Sequence, residues 1–308
     1  MYRQHRSKRI NRQSIGRSIP HLLSVMISKN IGIDDMENLV YHYTSIDSLA
    51  LILKNRTIRL NPLDKMDDLQ EQKTADVENL GKFVFVSSWT EDAKESIPMW
   101  KMYTNPTSGV RIKLRKNPFV WHETHVKDIV DRTGMILTQD SDPNGKLHTF
   151  LDYAELMEKG YMSVQAFNGD ILKQVEYTDE IDKLEPKVAH IQDGKVELNI
   201  GNLGRYKNTH WEFQKEWRYI MTFISMNFKV GVEAMQMLYS MTVTKMVQGK
   251  EPPPFRYYDL EIAPECFEEM EIVCSPQMSP GNKIILEILR DNYNPKASIV
   301  ESELLGKI

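Results

Sequence analysis

Glu212, Gln214, Glu216 and Arg218 occupy every second position of the stretch Trp211–Ile220, with Trp211, Phe213, Lys215, Trp217 and Tyr219 between them. Read as a strand, this alternation puts the four aromatic rings on one face and two carboxylates, an amide and a guanidinium on the other. The rings would anchor the strand to a core, because each buries a large area. The polar face is either the solvated side of an antiparallel strand or one wall of an active site. A helix is disfavoured, since Glu212 and Glu216 would then be like-charged i,i+4 neighbours.

Several familiar chemistries do not fit. His122-Glu123-Thr124-His125 has one residue too few between its histidines for a zinc protease helix, and no third ligand is indicated. Gly201-Asn202-Leu203-Gly204 lacks the Lys-Ser/Thr of a phosphate loop, and no Gly-x-Ser-x-Gly elbow occurs. On one strand Glu212 and Glu216 would stand about 13 Å apart, from about 3.3 Å per residue. A glycosidase pair needs roughly 5–10 Å. What remains is a single carboxylate among polar neighbours and the distant strand Tyr41-His42-Tyr43-Thr44. One carboxylate can stabilise an oxocarbenium-like cation when the leaving group needs no strong acid. Nicotinamide leaving NAD is such a case, because its nitrogen is already cationic in the substrate. The demand on the site is then electrostatic and positional.

The elements that must position these groups read as follows. Val40–Thr44 is a first strand, Ser45 or Asp47 caps a helix with Leu49, Ile52 and Leu53 on its apolar face, and Thr57–Leu60 is a second strand. Asp64–Glu78 reads as a loop and a helix, Phe83–Ser88 as a buried strand, Pro98–Tyr103 as a short helix and Gly109–Leu114 as a strand. Asp142–Gly145 and Asp193-Gly194 are turns, and Thr149–Val164 reads as helical. Val175–Tyr177, Tyr257–Ile262 and Glu271–Cys274 are further strands. Val232–Val247 is a Met-rich helix suited to an adaptable core, and Pro280 opens a last helix. Many strands among a few helices, without regular βα alternation, indicate an α+β fold.

The 308 residues are enough for one large domain: an arm and short helix over 1–38, then a single α+β domain over 39–308 with 117–200 as a helical insertion. Residues 1–30 carry seven Arg or Lys and no acid, although the whole chain has net charge −4. Such an arm suits contact with phosphates, and an Arg- and Ser-rich start also fits an organelle transit peptide. The apolar segment Leu22–Ile27 is too short for a signal peptide, and no apolar run reaches the roughly 18 residues of a membrane span. Two cysteines, Cys266 and Cys274, imply no disulfide framework and suit a reducing cytoplasm.

Tyr41-His42-Tyr43-Thr44, Asn61-Pro62, Asp68, Phe85-x-Ser87-Ser88, Pro98-Met99-Trp100-x-x-Tyr103, Gly109-Val110 and Trp211-x-x-x-Lys215-Glu216-x-Arg218 occur in an order that resembles a bacterial family catalogued as a domain of unknown function. The opening is similar to that of ADP-ribosyltransferase-like folds, including DarT-type toxins and RNA 2′-phosphotransferases. The resemblance covers roughly 40–290, loosely over 117–170 and 221–255. It implies a split, twisted β core with flanking helices and an NAD cleft. His42 would bond the adenosine-side ribose, with Tyr43 and Thr44 nearby. Ser87 and Ser88 would border the nicotinamide side, Trp100 and Tyr103 would stack on rings, and Glu216 would be catalytic, supported by Gln214 and Arg218. The chain departs from the family in Gln214-Lys215-Glu216, where a Glu commonly stands for Gln214, and in Asp67-Asp68-Leu69, where Asn-Asp-Pro is usual.

The resulting expectation is a metal-free, NAD-consuming ADP-ribosyltransferase acting on nucleic acid or protein. It would be a cytoplasmic toxin or phage-defence effector, restrained by an antitoxin or regulatory protein. The alternatives are a non-catalytic nucleic-acid- or partner-binding module on the same fold, and an NAD glycohydrolase.

Overall fold

The computed structural model describes residues 39–133, 145–163, 171–192, 195–230 and 232–308. The expected arm and helix over 1–38, the turn residues Asp142–Asn144 and the Asp193-Gly194 turn lie outside them.

The chain opens with β1 (Leu39–Ser45) and turns directly into α1 (Ile46–Asn55). Ser45 starts this helix by accepting the Ser48 N–H at 3.1 Å, and Arg56 closes it with a left-handed backbone whose N–H returns to the Ile52 carbonyl. Leu49, Ile52 and Leu53 share the buried face, as the spacing of apolar residues requires. Then come β2 (Thr57–Pro62), β3 (Val84–Thr90), α2 (Ile97–Tyr103) and β4 (Gly109–Arg115). The segment between β2 and β3 holds two short 3₁₀ turns and otherwise irregular chain, so the helix expected within Asp64–Glu78 does not form.

The middle of the chain supplies β5 (His122–His125), α3 (Val126–Thr133), β6 (Lys146–Thr149), α4 (Tyr153–Glu158), β7 (Tyr161–Ser163), β8 (Leu172–Gln174) and β9 (Glu176–Tyr177). The helix expected over Thr149–Val164 is therefore one short turn of helix, α4, followed by a strand. It is followed by α5 (Ile181–Leu184), β10 (Ala189–Gln192), β11 (Lys195–Leu198), β12 (Tyr206–Lys207) and β13 (Glu216–Ser225). The last quarter adds α6 (Val232–Val247), β14 (Tyr258–Glu261), α7 (Pro264–Glu268), β15 (Glu271–Cys274), α8 (Pro280–Tyr293) and β16 (Ser298–Val300).

Ten of these strands form one twisted, mostly antiparallel sheet. Its centre is the β3–β13 pair, registered from Glu216 opposite Thr90 to Thr222 opposite Val84. Both faces of that pair are covered. Phe85, Tyr219, Met221 and Phe223 enter the largest apolar cluster, where Phe85 and Phe223 meet edge to face at 5.3 Å. Val84, Val86, Ile220 and Ile224 enter a second cluster, under α6. Double coverage explains why these strands read as nearly continuous apolar runs. The described parts of 117–200 belong to the same core: Phe119, Phe150, Leu156 and Leu172 are in the largest cluster, and β7 and β8 pair with β13. No helix of the described residues is long and apolar enough to cross a membrane.

Candidate functional site

The sheet forks at β3. One edge of β3 is occupied by β13; along the other, β2 pairs only at Val86 and Phe85, and β1 only at Thr90. Between those two contacts Ser87, Ser88 and Trp89 face a cleft of about 470 Å³, within the range of small-molecule sites. His42 closes part of the gap, its Nδ1 lying 2.7 Å from the Ser88 carbonyl. A carbonyl oxygen only accepts, so Nδ1 carries the proton and Nε2 is left as the acceptor atom of the ring. Burial lowers the His42 pKa below its usual value, against the opposing pull of the Ser88 hydrogen bond, which keeps the ring neutral near pH 7. The ring also lies tilted against Trp89 at 5.0 Å.

Glu216 lies in the wall of the same cleft, at the first position of β13. The turn before it sets that position. Asn208 accepts the His210 N–H and starts a 3₁₀ helix over Thr209–Gln214, and Lys215 ends it in the left-handed conformation at φ 46°. The strand expected over Trp211–Ile220 thus begins only at Glu216. The alternation across Trp211–Lys215 is a turn in which Trp211 and Phe213 stay near one another, ring centroids 6.3 Å apart, with Phe213 exposed. A capping Asn and a positive-φ residue outweigh a local period-two pattern, because five side chains are too few to distinguish a strand from a tight turn. Glu212 is thereby removed from the Glu216 face.

The Glu216 carboxylate belongs to a buried group of four charges. Arg218 Nε donates to Glu216 Oε1 at 2.6 Å, and its Nη2 donates to Oε2 at 3.0 Å. Lys207 Nζ lies 3.1 Å from the same Oε2 and 2.9 Å from Gln214 Oε1. On the far side, Glu71 accepts from both Arg218 amino groups and pairs with Lys207 at 3.1 Å. Burial by itself would raise the Glu216 pKa; Arg218 and Lys207, with the buried Ser88 hydroxyl beside it, outweigh that and bring it to about 2. Glu216 is therefore a fixed, ionised carboxylate.

Tyr103 completes the rim. Its hydroxyl donates to Asp67 Oδ2 at 2.9 Å and accepts from Gln214 Nε2, linking α2, the β2–β3 segment and the turn before β13. Burial and the adjoining Asp67 carboxylate hold the phenol protonated. Tyr43 and Thr44 line the cleft as well, with the Tyr43 hydroxyl accepting the Ser96 N–H at 3.0 Å. Ser87 is engaged by Trp89 Nε1 at 3.1 Å.

The cleft therefore gathers His42, Tyr43, Thr44, Ser87, Ser88, Tyr103, Gln214 and Glu216. One expected site residue stands elsewhere. Trp100, expected to stack on a ligand ring, is turned into the core: it packs edge-on against Tyr43 at 5.0 Å and gives its indole N–H to Glu95 at 2.8 Å. Trp100 and Tyr103, three apart in α2, share one helix face and one apolar cluster with Tyr43, Trp100 filling its buried part. Arg218, expected to support Glu216, is fully buried behind the wall and bonds Glu216, Glu71 and the Gly204 carbonyl.

Sequence reasoning missed Glu71, Lys207 and Asp67 as partners. Lys207, a Lys next to Asn208 in a short segment, carried no periodic signal. Asp67 and Glu71 sit in the acidic stretch Asp64–Glu78, read only as a loop and a helix. His122 and His125 fall on a strand rather than a helix, and no group of three or more His, Cys, Asp or Glu among the described residues could hold a metal.

No family model, curated protein or solved structure matches this chain. What the cleft can do follows from its own chemistry.

Proposed function

We propose that the protein is an NAD-dependent ADP-ribosyltransferase whose dinucleotide lies in the β3 fork. The observation that carries this reading is that His42 and Glu216, 174 positions apart in the chain, line one cleft, the first as a neutral acceptor and the second as a fixed anion. An anion with no proton to give is suited to a substrate whose leaving group needs none. The C1′–N bond of the nicotinamide ribose breaks, and its electron pair neutralises the ring nitrogen. The ribosyl cation left behind faces Glu216, and an acceptor hydroxyl or amine attacks C1′ and loses its proton to solvent. His42 Nε2 takes a hydroxyl of the other ribose. Tyr103 stacks at the rim. The acceptor is nucleic acid or protein, and the basic stretch before residue 30 favours nucleic acid.

Labelled NAD incubated with the protein and a cell extract tests this. Label on RNA, DNA or protein that is lost in Glu216→Gln supports the reading. Equal labelling by wild type and variant rejects Glu216 as the anion facing the reacting ribose, and free ADP-ribose alone identifies a glycohydrolase.

A second reading is a binding cleft without turnover. Both Glu216 oxygens are engaged by Arg218 and Lys207, as in a purely structural ion-pair cluster. It requires that NAD, or nucleic acid held through residues 1–30, bind with no nicotinamide released.

A further inference from the structure

Glu71 lies in the irregular segment between β2 and β3 and contributes nothing to the lining of the cleft. It is nevertheless buried and shares both cations that hold Glu216. We infer that Glu71 is a positioning residue for Glu216: from behind the cleft wall it takes up half of the positive charge of Arg218 and Lys207, so that Glu216 keeps one orientation while the wall stays electrically neutral.

The bonding supports this. A guanidinium has five N–H donors. In Arg218 one goes from Nε to Glu216, two from Nη2 to Glu216 and Glu71, and two from Nη1 to Glu71 and the Gly204 carbonyl. Lys207 Nζ is 3.1 Å from Glu71 Oε1 and 3.1 Å from Glu216 Oε2, with Gln214 as its third acceptor. Two cations thus meet two carboxylates with no donor left over. Without Glu71, both cations would fall to Glu216 alone. The wall would then carry net positive charge where a ribosyl cation has to form, and Arg218 would lose the partner that fixes its far side. Truncating one member of a buried charge group leaves the others uncompensated.

The catalytic part of this inference rests on the proposed role of Glu216, whereas the sharing of charge belongs to the cluster itself. Two measurements on the full chain separate them. Thermal unfolding of Glu71→Gln, Lys207→Gln and the double variant reads the charge sharing. The double variant is expected to lose less stability than the two singles together, because one cation and one anion remain paired. Additive losses would overturn the charge sharing.

Steady-state NAD consumption reads the positioning. Glu71→Gln is expected to lower kcat by about tenfold or more, with KM changed less than about threefold. Glu71→Asp should keep most of the activity, and adding Lys207→Gln to Glu71→Gln should restore part of kcat. An unchanged kcat in Glu71→Gln, or no recovery in the double variant, would overturn the positioning role. If the wild type releases no nicotinamide, the proposed activity and the positioning role fall together, and the unfolding cycle still decides whether Glu71 balances the cluster.

Discussion

At the scale of single residues, the site is a set of charges and tautomers fixed by burial. Arg218 is the least replaceable of them. Arg218→Met leaves Glu71 and Glu216 facing each other with only Lys207 between them, and is expected to cost about 3–5 kcal/mol, measured by urea unfolding. The Glu216 contribution has a defined pH window. Its folded pKa is lowered from 4.5 to about 2, so its stabilisation is complete above about pH 4.5 and is lost as pH falls toward 2. His42 acts higher in pH. Its folded pKa lies below 6.5, so the unfolded chain takes the proton first, and stability present above pH 6.5 is lost as pH falls through the lowered value. Melting temperatures across pH 7.5 to 5 should therefore fall more steeply for wild type than for His42→Gln. Parallel curves would show that His42 is not buried as a neutral ring. His42 and Glu216 were legible from residue type and order. The partners that set their protonation were not, because an ion pair between residues 147 positions apart, such as Glu71 and Arg218, leaves no local pattern.

At the scale of elements, the geometry of Glu216 depends on the corner before β13. Lys215 adopts a left-handed backbone that β-branched residues enter poorly. Lys215→Val is expected to destabilise the fold by about 1–2 kcal/mol and to reduce activity by shifting Glu216, whereas Lys215→Gly relieves the conformational constraint and should retain both. The Lys215–Asp92 ion pair is largely exposed, so its loss in either variant matters little. Comparing the two variants by thermal melting and NAD turnover separates backbone conformation from charge. Equal losses in both would place the effect in the side chain instead. This is also where the sequence misled. Strands β1, β2, β3, β4 and β15 and helices α1, α2 and α8 stood out because caps and apolar periods agree there. Trp211–Lys215 carries a period of two by coincidence, and only the capping side chain of Asn208 and the positive φ of Lys215 reveal the turn.

At the scale of the whole molecule, a single twisted sheet does two jobs. Its β3–β13 centre is packed on both faces and its far side opens into the cleft. Phe85 belongs to the packed part, with no exposed surface and rings of Phe223 and Phe255 against it. Phe85→Ala is expected to cost about 3–5 kcal/mol in chemical unfolding, and a loss under about 1 kcal/mol would mean that the core is not continuous there. The α+β class was readable from the number and irregular spacing of strands. The fork in β3 was not, because which edge residues stay unpaired is decided by β1 and β2 arriving from different parts of the chain. The proposed activity requires that fork to hold a dinucleotide between His42 and Glu216. The direct measurement is a crystal structure of Glu216→Gln, the variant expected to bind without turnover, grown with NAD. The expected density places the C1′–nicotinamide bond beside the side chain at position 216 and a hydroxyl of the other ribose on His42 Nε2. A cleft empty at saturating NAD, or a dinucleotide touching neither residue, would contradict it.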